Sequence, residues 1–401
     1  MMNSIHQTYL DQFADRIEAL VSSAHRLDPI ARRLKDAGLR PESVRDYAGL
    51  IALPVQSKDE VRLAQLADPP FGGLLSAEAR PRRIFQSPGP LYEPQLDGDD
   101  PWRWGQALAA IGIGSRDVVM NCFGYHLSPA GVMFDEACGS VGAGVVPGGI
   151  GSAELQARAV HDLPLTAYVG LPSYLKVLID SFKSADLDPQ RWEIHRAVVS
   201  AEPLPDTLRE ELKAAVPHVI SAYGTAEAGL IGYEDAPGAG LIIPEGVLVE
   251  ICDPISGEPV YDREGQIVVT LFRQDYPMIR FGTGDISAWV TGTDGTLRLA
   301  GVLGRVGDGI KVRGMFLQPD QAYRYIAGRP GVGQFRLVVD RVDHRDSLTV
   351  EVVLEDGADE RTTLNDVRSR VRDGLRFACD VVAVPSLAES SGSIVDHRDW
   401  K

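Results

Sequence analysis

Residues 304–319 read GRVGDGIKVRGMFLQP, and the fold turns on how that stretch is understood. A Gly-Arg pair comes first, then Gly307-Asp308-Gly309, then the alternation Ile310-Lys311-Val312-Arg313, and a further Gly314. Glycines on both sides of one carboxylate soften the backbone around a fixed charge, so the stretch predicts a bend followed by a strand. Such a bend suits a site that holds a polyanion, or a hinge on which one domain swings across another. The same residues also make an ordinary β-turn ahead of a solvated basic strand.

Downstream of Asp308 the pattern is strand, helix at 319–328, strands at 334–340 and 347–354, helix at 361–376 and strand at 380–384, a small α+β unit. Upstream, from about 84 to 230, short apolar strands alternate with helices. The strands are 118–121, 143–146, 167–170 and 197–200; the helices are 103–111, 129–139, 153–162, 173–184 and 205–215. Strand–helix alternation with short Gly/Pro turns predicts right-handed crossovers and a mostly parallel sheet. Ligands of such sheets sit at the carboxyl ends of the strands. Between about 240 and 303 the texture changes to strands at 247–251, 265–271, 286–290 and 296–299 without long helices, the pattern of an antiparallel barrel-like subdomain. The prediction is therefore an α/β protein. Residues 1–307 form a large body, with a helical lead-in at 1–52, an α/β core at about 53–235 and the barrel-like part at about 240–303. A small mobile domain at 308–401 is hinged at Asp308.

With 401 residues the chain can bury a large core. Its net charge of −16, from 40 Lys and Arg against 56 Asp and Glu, argues against a general nucleic-acid surface. The first residues lack the apolar core of a secretory signal, and no run approaches a membrane span, so a cytoplasmic protein without a membrane partner is expected. Cysteines at 122, 138, 252 and 379 are too scattered for a zinc knuckle or a disulfide framework. Gly170-Leu-Pro-Ser-Tyr174 lacks the closing glycine of a nucleophile elbow, and no G-x-G-x-x-G stands between a strand and a helix.

Three blocks in order, Ser221-Ala-Tyr-Gly-Thr-Ala-Glu227, Tyr276-Pro-Met-Ile-Arg-Phe-Gly-Thr-Gly-Asp285 and the stretch around Asp308, resemble the adenylate-forming superfamily of acyl-CoA synthetases. Within it, the chain looks like the phenylacetate–CoA ligase branch, with further matching pieces at Leu53–Arg62, Phe123–Leu127, Pro172–Tyr174 and Ala201–Pro203. The resemblance implies the adenylate-forming fold and a reaction that joins a small carboxylic acid to AMP, then passes the acyl group to CoA or a carrier-protein thiol. It implies ATP and Mg²⁺ as well, and a possible homodimer.

Residue by residue, the resemblance puts Asp285 on the ribose hydroxyls, a carboxylate being able to accept from a diol. It puts Arg305 on the ribose or phosphate, and Glu227 on Mg²⁺, a hard cation that favours carboxylate oxygens. Tyr223 with Ala201, Glu202 and Pro203 forms the adenine slot, beside Ser200, Gly224 and Thr225. Asp308 and Lys311 join Glu227 and Arg305 in the catalytic set. Phe123, Tyr125, His126 and Tyr174 fall at the wall of the acid pocket. Taken alone, Asp285 is equally a turn aspartate after Gly284, and Phe123 and Tyr174 are equally core aromatics.

Two stretches depart from the family pattern. Its Gly/Ser/Thr-rich phosphate loop with one lysine reads here Gln86-Ser87-Pro88-Gly89-Pro90-Leu91-Tyr92-Glu93-Pro94. Ser87, Gly89 and Pro94 survive, but two prolines remove N–H donors, and Glu93 sets a negative charge toward an anion. The C-terminal lysine position falls on Ser390, and no lysine stands between Lys311 and Lys401. Two functions follow as expectations. One is an ATP-dependent acid–thiol ligase. The other is an adenylation-deficient homologue that binds an acyl-adenylate or acyl-CoA, or carries out only the thioester half-reaction.

Overall fold

A computed structural model describes residues 2, 4–87, 89–306, 310–313, 315–317, 319–375, 377–387 and 392–398, with backbone alone at 311, 315, 316, 320, 321 and 324. The chain divides into two compact units, Met1–Leu204 with Arg209–Val306, and Gly307–Lys401 with Pro205–Leu208.

The first unit opens with helices α1 (Ser4–Asp11), α2 (Ala14–Ala24), α3 (Asp28–Asp36) and α4 (Tyr47–Leu50). Their apolar faces, including Leu10, Ile17, Leu20, Ile30, Leu34 and Leu50, pack into one core with Val247, Val249, Ile267 and Phe281. Helix α5 (Lys58–Ala67) starts at a capping box: Ser57 Oγ accepts from Glu60 N, and the Glu60 carboxylate accepts from Ser57 N. Such a start is worth about 1 kcal/mol and fixes where Lys58 leaves the helix. Strands β1 (Arg83–Gln86) and β2 (Tyr92–Gln95) then form an antiparallel hairpin.

Among the described residues the central sheet has nine strands, in the order β13-β14-β9-β8-β7-β6-β5-β3-β4. Its parallel part is β3 (Val118–Asn121), β4 (Gly144–Val146), β5 (Ala167–Gly170), β6 (Arg196–Val199) and β7 (His218–Thr225). Helices α6 (Trp104–Ala110), α7 (Ala130–Ser140), α8 (Ala153–Asp162), α9 (Pro172–Ser184) and α10 (Asp206–Lys213) accompany these strands. Strands β5 and β6 are buried almost throughout, as expected of a sheet covered on both faces. After β7 the chain reverses into antiparallel β8 (Gly229–Tyr233) and β9 (Leu241–Ile242).

Strands β10 (Val247–Cys252), β11 (Gly265–Leu271), β12 (Met278–Ser287) and β15 (Gly304–Arg305) form a separate antiparallel sheet. The expected barrel-like grouping is therefore divided. Strands β13 (Trp289–Thr291) and β14 (Leu297–Leu299) leave this sheet and extend the central one through β9. The expected strand at 286–290 is the end of β12 plus the start of β13, since Ala288 breaks the pairing.

In the second unit, the hairpin β16 (Ile310–Val312) and β17 (Met315–Leu317) precedes α11 (Pro319–Ile326), β18 (Val332–Val342), β19 (Arg345–Leu354), α12 (Glu360–Arg370), β20 (Asp380–Ala383) and β21 (Ile394–Asp396). The sheet order is β20-β19-β18-β21, and its core includes Phe335, Leu337, Val350, Val367 and Phe377. Helix α12 ends in a π-turn over Val371–Leu375, shorter than the helix read from the sequence. Arg398 closes the unit by an ion pair to buried Asp346 at 2.9 Å, and the same carboxylate accepts from Arg313 N.

Candidate active site

The carboxyl ends of β6 and β7 and the edge of the β12 sheet carry the residues singled out in the sequence. Ser200, at the end of β6, is buried and donates its N–H to Gly170 O. Ala201 then adopts φ 70°, a left-handed conformation unusual for a residue with a Cβ. Glu202 turns back to accept from Ser173 Oγ at 2.6 Å, and Pro203 is exposed. Strand β7 lies beside β6, pairing Ser221 with Val199, so Tyr223, Gly224 and Thr225 end at the same edge.

Tyr223 crosses to the other sheet. Its hydroxyl donates to Asp285 Oδ2 at 2.7 Å, while Arg305 Nε donates to Asp285 Oδ1 at 3.0 Å. Asp285 and Arg305 are cross-strand partners on β12 and β15, which aligns the guanidinium with the carboxylate before any side chain moves. Asp285 is 3% exposed. Burial, and then the Asp285 charge, push the Tyr223 phenol well above its usual range, so it stays a donor. The turn reading of Asp285 gives way to this arrangement: its side chain is the common acceptor of two fixed donors.

Glu227 lies just beyond β7 and is 1% exposed. Its Oε1 stands 2.6 Å from Lys58 Nζ. Burial would raise the Glu227 carboxyl, but the Lys58 ion pair and local hydrogen bonds outweigh it and hold the group below the usual range. Lys58 also lies against the hairpin loop. A Cβ placed on Gly89 would meet Lys58 Cε at 2.9 Å and Nζ at 3.2 Å.

That contact sets an ammonium against a loop that has no lysine of its own. Gln86 and Tyr92–Pro94 are strand residues, leaving a short connection that Ser87 closes by donating its N–H to Leu91 O and accepting from Leu91 N. The cation comes from the start of α5 instead. Glu93 does not face an open loop either: it points inward, is 2% exposed, and its Oε1 has no hydrogen-bond partner. Burial, and then the neighbouring Glu227 charge, raise its carboxyl well above the usual range, with Arg273 and Lys58 opposing. Lys58 stood in a matching sequence piece, but a lysine in the first turn of a capped helix carries no local signature of a partner 169 positions away.

The acid-pocket candidates fall at the β3–α7 and β5–α9 corners. Phe123 stacks on Phe134 at 4.7 Å, and Phe134 meets Trp104 at 4.5 Å, so Phe123 belongs to the core cluster. Tyr125 donates to Asp135 Oδ1 at 2.5 Å and accepts from Asn121 Nδ2. Tyr174 bonds with Gly151 O and Gln156 Oε1, while His126 is exposed. Asp308 and Ser390 lie outside the described residues, as does the side chain of Lys311. Arg280, which precedes Asp285, is a buried strut rather than a site residue. It pairs with Glu250 at 3.1 Å and donates to Ile51 O, Leu53 O and Gly257 O, tying the approach to Lys58 onto β10 and β12.

No family model matches the sequence. The chain is 28% identical over 358 residues to phenylacetate-coenzyme A ligase of Aromatoleum evansii, covering 84% of this chain and 80% of that protein. It is 25% identical to the enzyme of the same name from Escherichia coli K12, over 92% of this chain and 89% of that one. Among solved structures, 2-hydroxyisobutyryl-CoA ligase in complex with 2-HIB-AMP and CoA, in the thioesterification state, superposes with a TM-score of 0.87 at 22% identity, over 100% of this chain and 91% of that one. Sequence likeness along most of the length and a shared fold agree: the chain is similar to the phenylacetate–CoA ligases and has the fold of an adenylate-forming CoA ligase.

Proposed function

We propose that the chain is a cytoplasmic acid–thiol ligase that activates an aryl or related carboxylic acid with ATP and transfers the acyl group to CoA or a carrier-protein pantetheine. The observation that carries this reading is the buried Tyr223–Asp285–Arg305 set, a carboxylate fixed by two donors beside the open ends of β6 and β7. Its remaining lone pairs accept ribose hydroxyls, and Arg305 adds a positive charge toward the α-phosphate. The acid's carboxylate oxygen attacks the α-phosphorus and the bond to pyrophosphate breaks. The thiolate then attacks the acyl carbon and AMP leaves. Positioning and charge stabilisation supply most of the rate in such a transfer.

The residues at Glu227 fit a magnesium ion arriving with the nucleotide: one buried carboxylate, with Thr225 close by, suits a cation that otherwise keeps phosphate and water ligands. Bound there, the ion would neutralise phosphate charge. Lys58, held 2.6 Å from Glu227 and against Gly89, would turn its ammonium to the β- and γ-phosphates of a nucleotide bound there. Asp308, as the hinge of a mobile domain at 308–401, and Lys311, in the catalytic set, complete the reading.

A second reading rests on Glu93 and Ser390. Burial and the Glu227 charge hold the Glu93 carboxyl toward its neutral form, so this position brings no positive charge to meet pyrophosphate, which favours a protein that starts from a preformed adenylate or thioester. Acid-dependent exchange of labelled pyrophosphate into ATP, followed by CoA-dependent AMP release, separates the two. Exchange with any acid of an aryl and short branched panel supports the ligase. AMP release from a supplied acyl-adenylate and CoA, without exchange, supports the second reading.

A further inference from the structure

We propose that Arg103 and Arg273 are positioning residues for Glu227, clamping the loop between β7 and β8 against the segment Pro101–Trp104. The assignment of Glu227 as the residue that matters rests on the ligase reading; the clamp itself rests on geometry.

Every hydrogen bond described for the two guanidiniums ends on a backbone carbonyl. Arg103 Nη2 donates to Ala228 O and to Leu230 O, the latter at 3.4 Å, and Nη1 to Pro101 O at 3.4 Å. Arg273 Nη1 donates to Glu227 O at 3.5 Å and Nη2 to Pro101 O at 3.1 Å. Two cations from distant parts of the chain thus share Pro101 O and between them hold the carbonyls of Glu227, Ala228 and Leu230. The backbone completes the mould, with Leu230 N donating to Trp102 O at 2.9 Å. Gly229, at φ 76°, leaves no room for a side chain: a Cβ would stand 2.6 Å from Trp102 O. Gly224 likewise lies on Trp104, whose Cζ2 would be 2.7 Å from an added Cβ.

Arg103 itself sits at φ 67° as the residue before α6, and its side chain caps nothing there. A strained residue held where its guanidinium reaches another loop is what a positioning role requires. Burial, then the charge of Arg273, push the Arg103 guanidinium down to about 9. Two like charges are thus kept close, at a cost to stability, where they grip the same loop.

The test uses Arg103→Asn, since Asn tolerates the left-handed region, together with Arg273→Met and Arg273→Lys, all in the full chain. Hydrogen–deuterium exchange is expected to rise about ten- to a hundred-fold in 225–230 in the first two variants, with exchange in β10–β12 unchanged. Adenylate formation then falls about ten-fold or more while AMP affinity stays within about two-fold, and Arg273→Lys recovers most of both. Unchanged exchange in 225–230 overturns the proposal. So does a rise spread over the whole first unit with AMP affinity falling in parallel. If the wild type forms no adenylate yet the local exchange result holds, the clamp stands and only the ligase reading falls.

Discussion

The two ends of the candidate site are built by opposite logics. At the Asp285 end, that carboxylate receives Tyr223 from the central sheet and Arg305 from the neighbouring strand, and the guanidinium and carboxylate are fixed partners. At the hairpin end, two carboxyl groups, Glu93 and Glu227, are buried near one ammonium, and one carboxyl oxygen of Glu93 is left without a hydrogen bond. The first end is organised before a ligand arrives. The second is organised around a charge that is still to come, or around a reaction that no longer uses one.

The sharpest way to break this contrast is Asp285→Ala. It strips a buried phenol and a guanidinium of their shared acceptor and should cost about 3–5 kcal/mol, read by urea unfolding, with loss of AMP binding by calorimetry. Unchanged stability would mean that this end is not held by that carboxylate.

Lys58→Met comes next. It leaves Glu227 buried without its ammonium and should cost about 2–3 kcal/mol. Binding of ATP should weaken about ten-fold or more while AMP binding changes little. Equal weakening of both nucleotides would place Lys58 at the wrong end.

Glu93→Gln sharpens the comparison through pH. The Glu93 carboxyl is raised in the folded state above its ordinary 4.5, so its stability contribution is present below that pH and is lost as pH climbs through the raised value. The variant should therefore gain on the wild type as pH rises from 4.5 toward neutrality, by up to about 1.4 kcal/mol per pH unit. A melting-temperature difference that is flat with pH would contradict the burial of an acid there. Gly89→Ala is the smallest change: the new methyl meets only the flexible end of Lys58, so stability should shift by under about 1 kcal/mol, with a few-fold loss of ATP affinity.

Much of the fold was legible because its strands are short apolar runs between Gly and Pro turns. Strands β3, β5 and β11 and helix α8 fall on the residues that the periodicity marked. Strand β8 was not legible, since Gly229-Leu-Ile-Gly-Tyr233 has glycines where a strand signal needs side chains; they are glycines because Trp102 and Leu241 press on the backbone. The antiparallel grouping of β10, β11 and the end of β12 was legible, but where β13 and β14 pair was not. Sequence shows that β13 and β14 are strands, but not that β9 gives them an edge on the central sheet. At the site, Asp285, Arg305 and Tyr223 were legible through their blocks. Lys58 and Arg273 were not, because an ion pair or a carbonyl contact between distant segments leaves no periodicity in either one.

The most direct measurement of the central claim is acid-dependent pyrophosphate–ATP exchange by the purified chain with Mg²⁺, across aryl and short branched acids. Exchange that appears with at least one acid, and that disappears in Asp285→Ala, is the predicted result. No exchange with any acid, from a folded protein that still binds AMP, would contradict ATP-dependent activation.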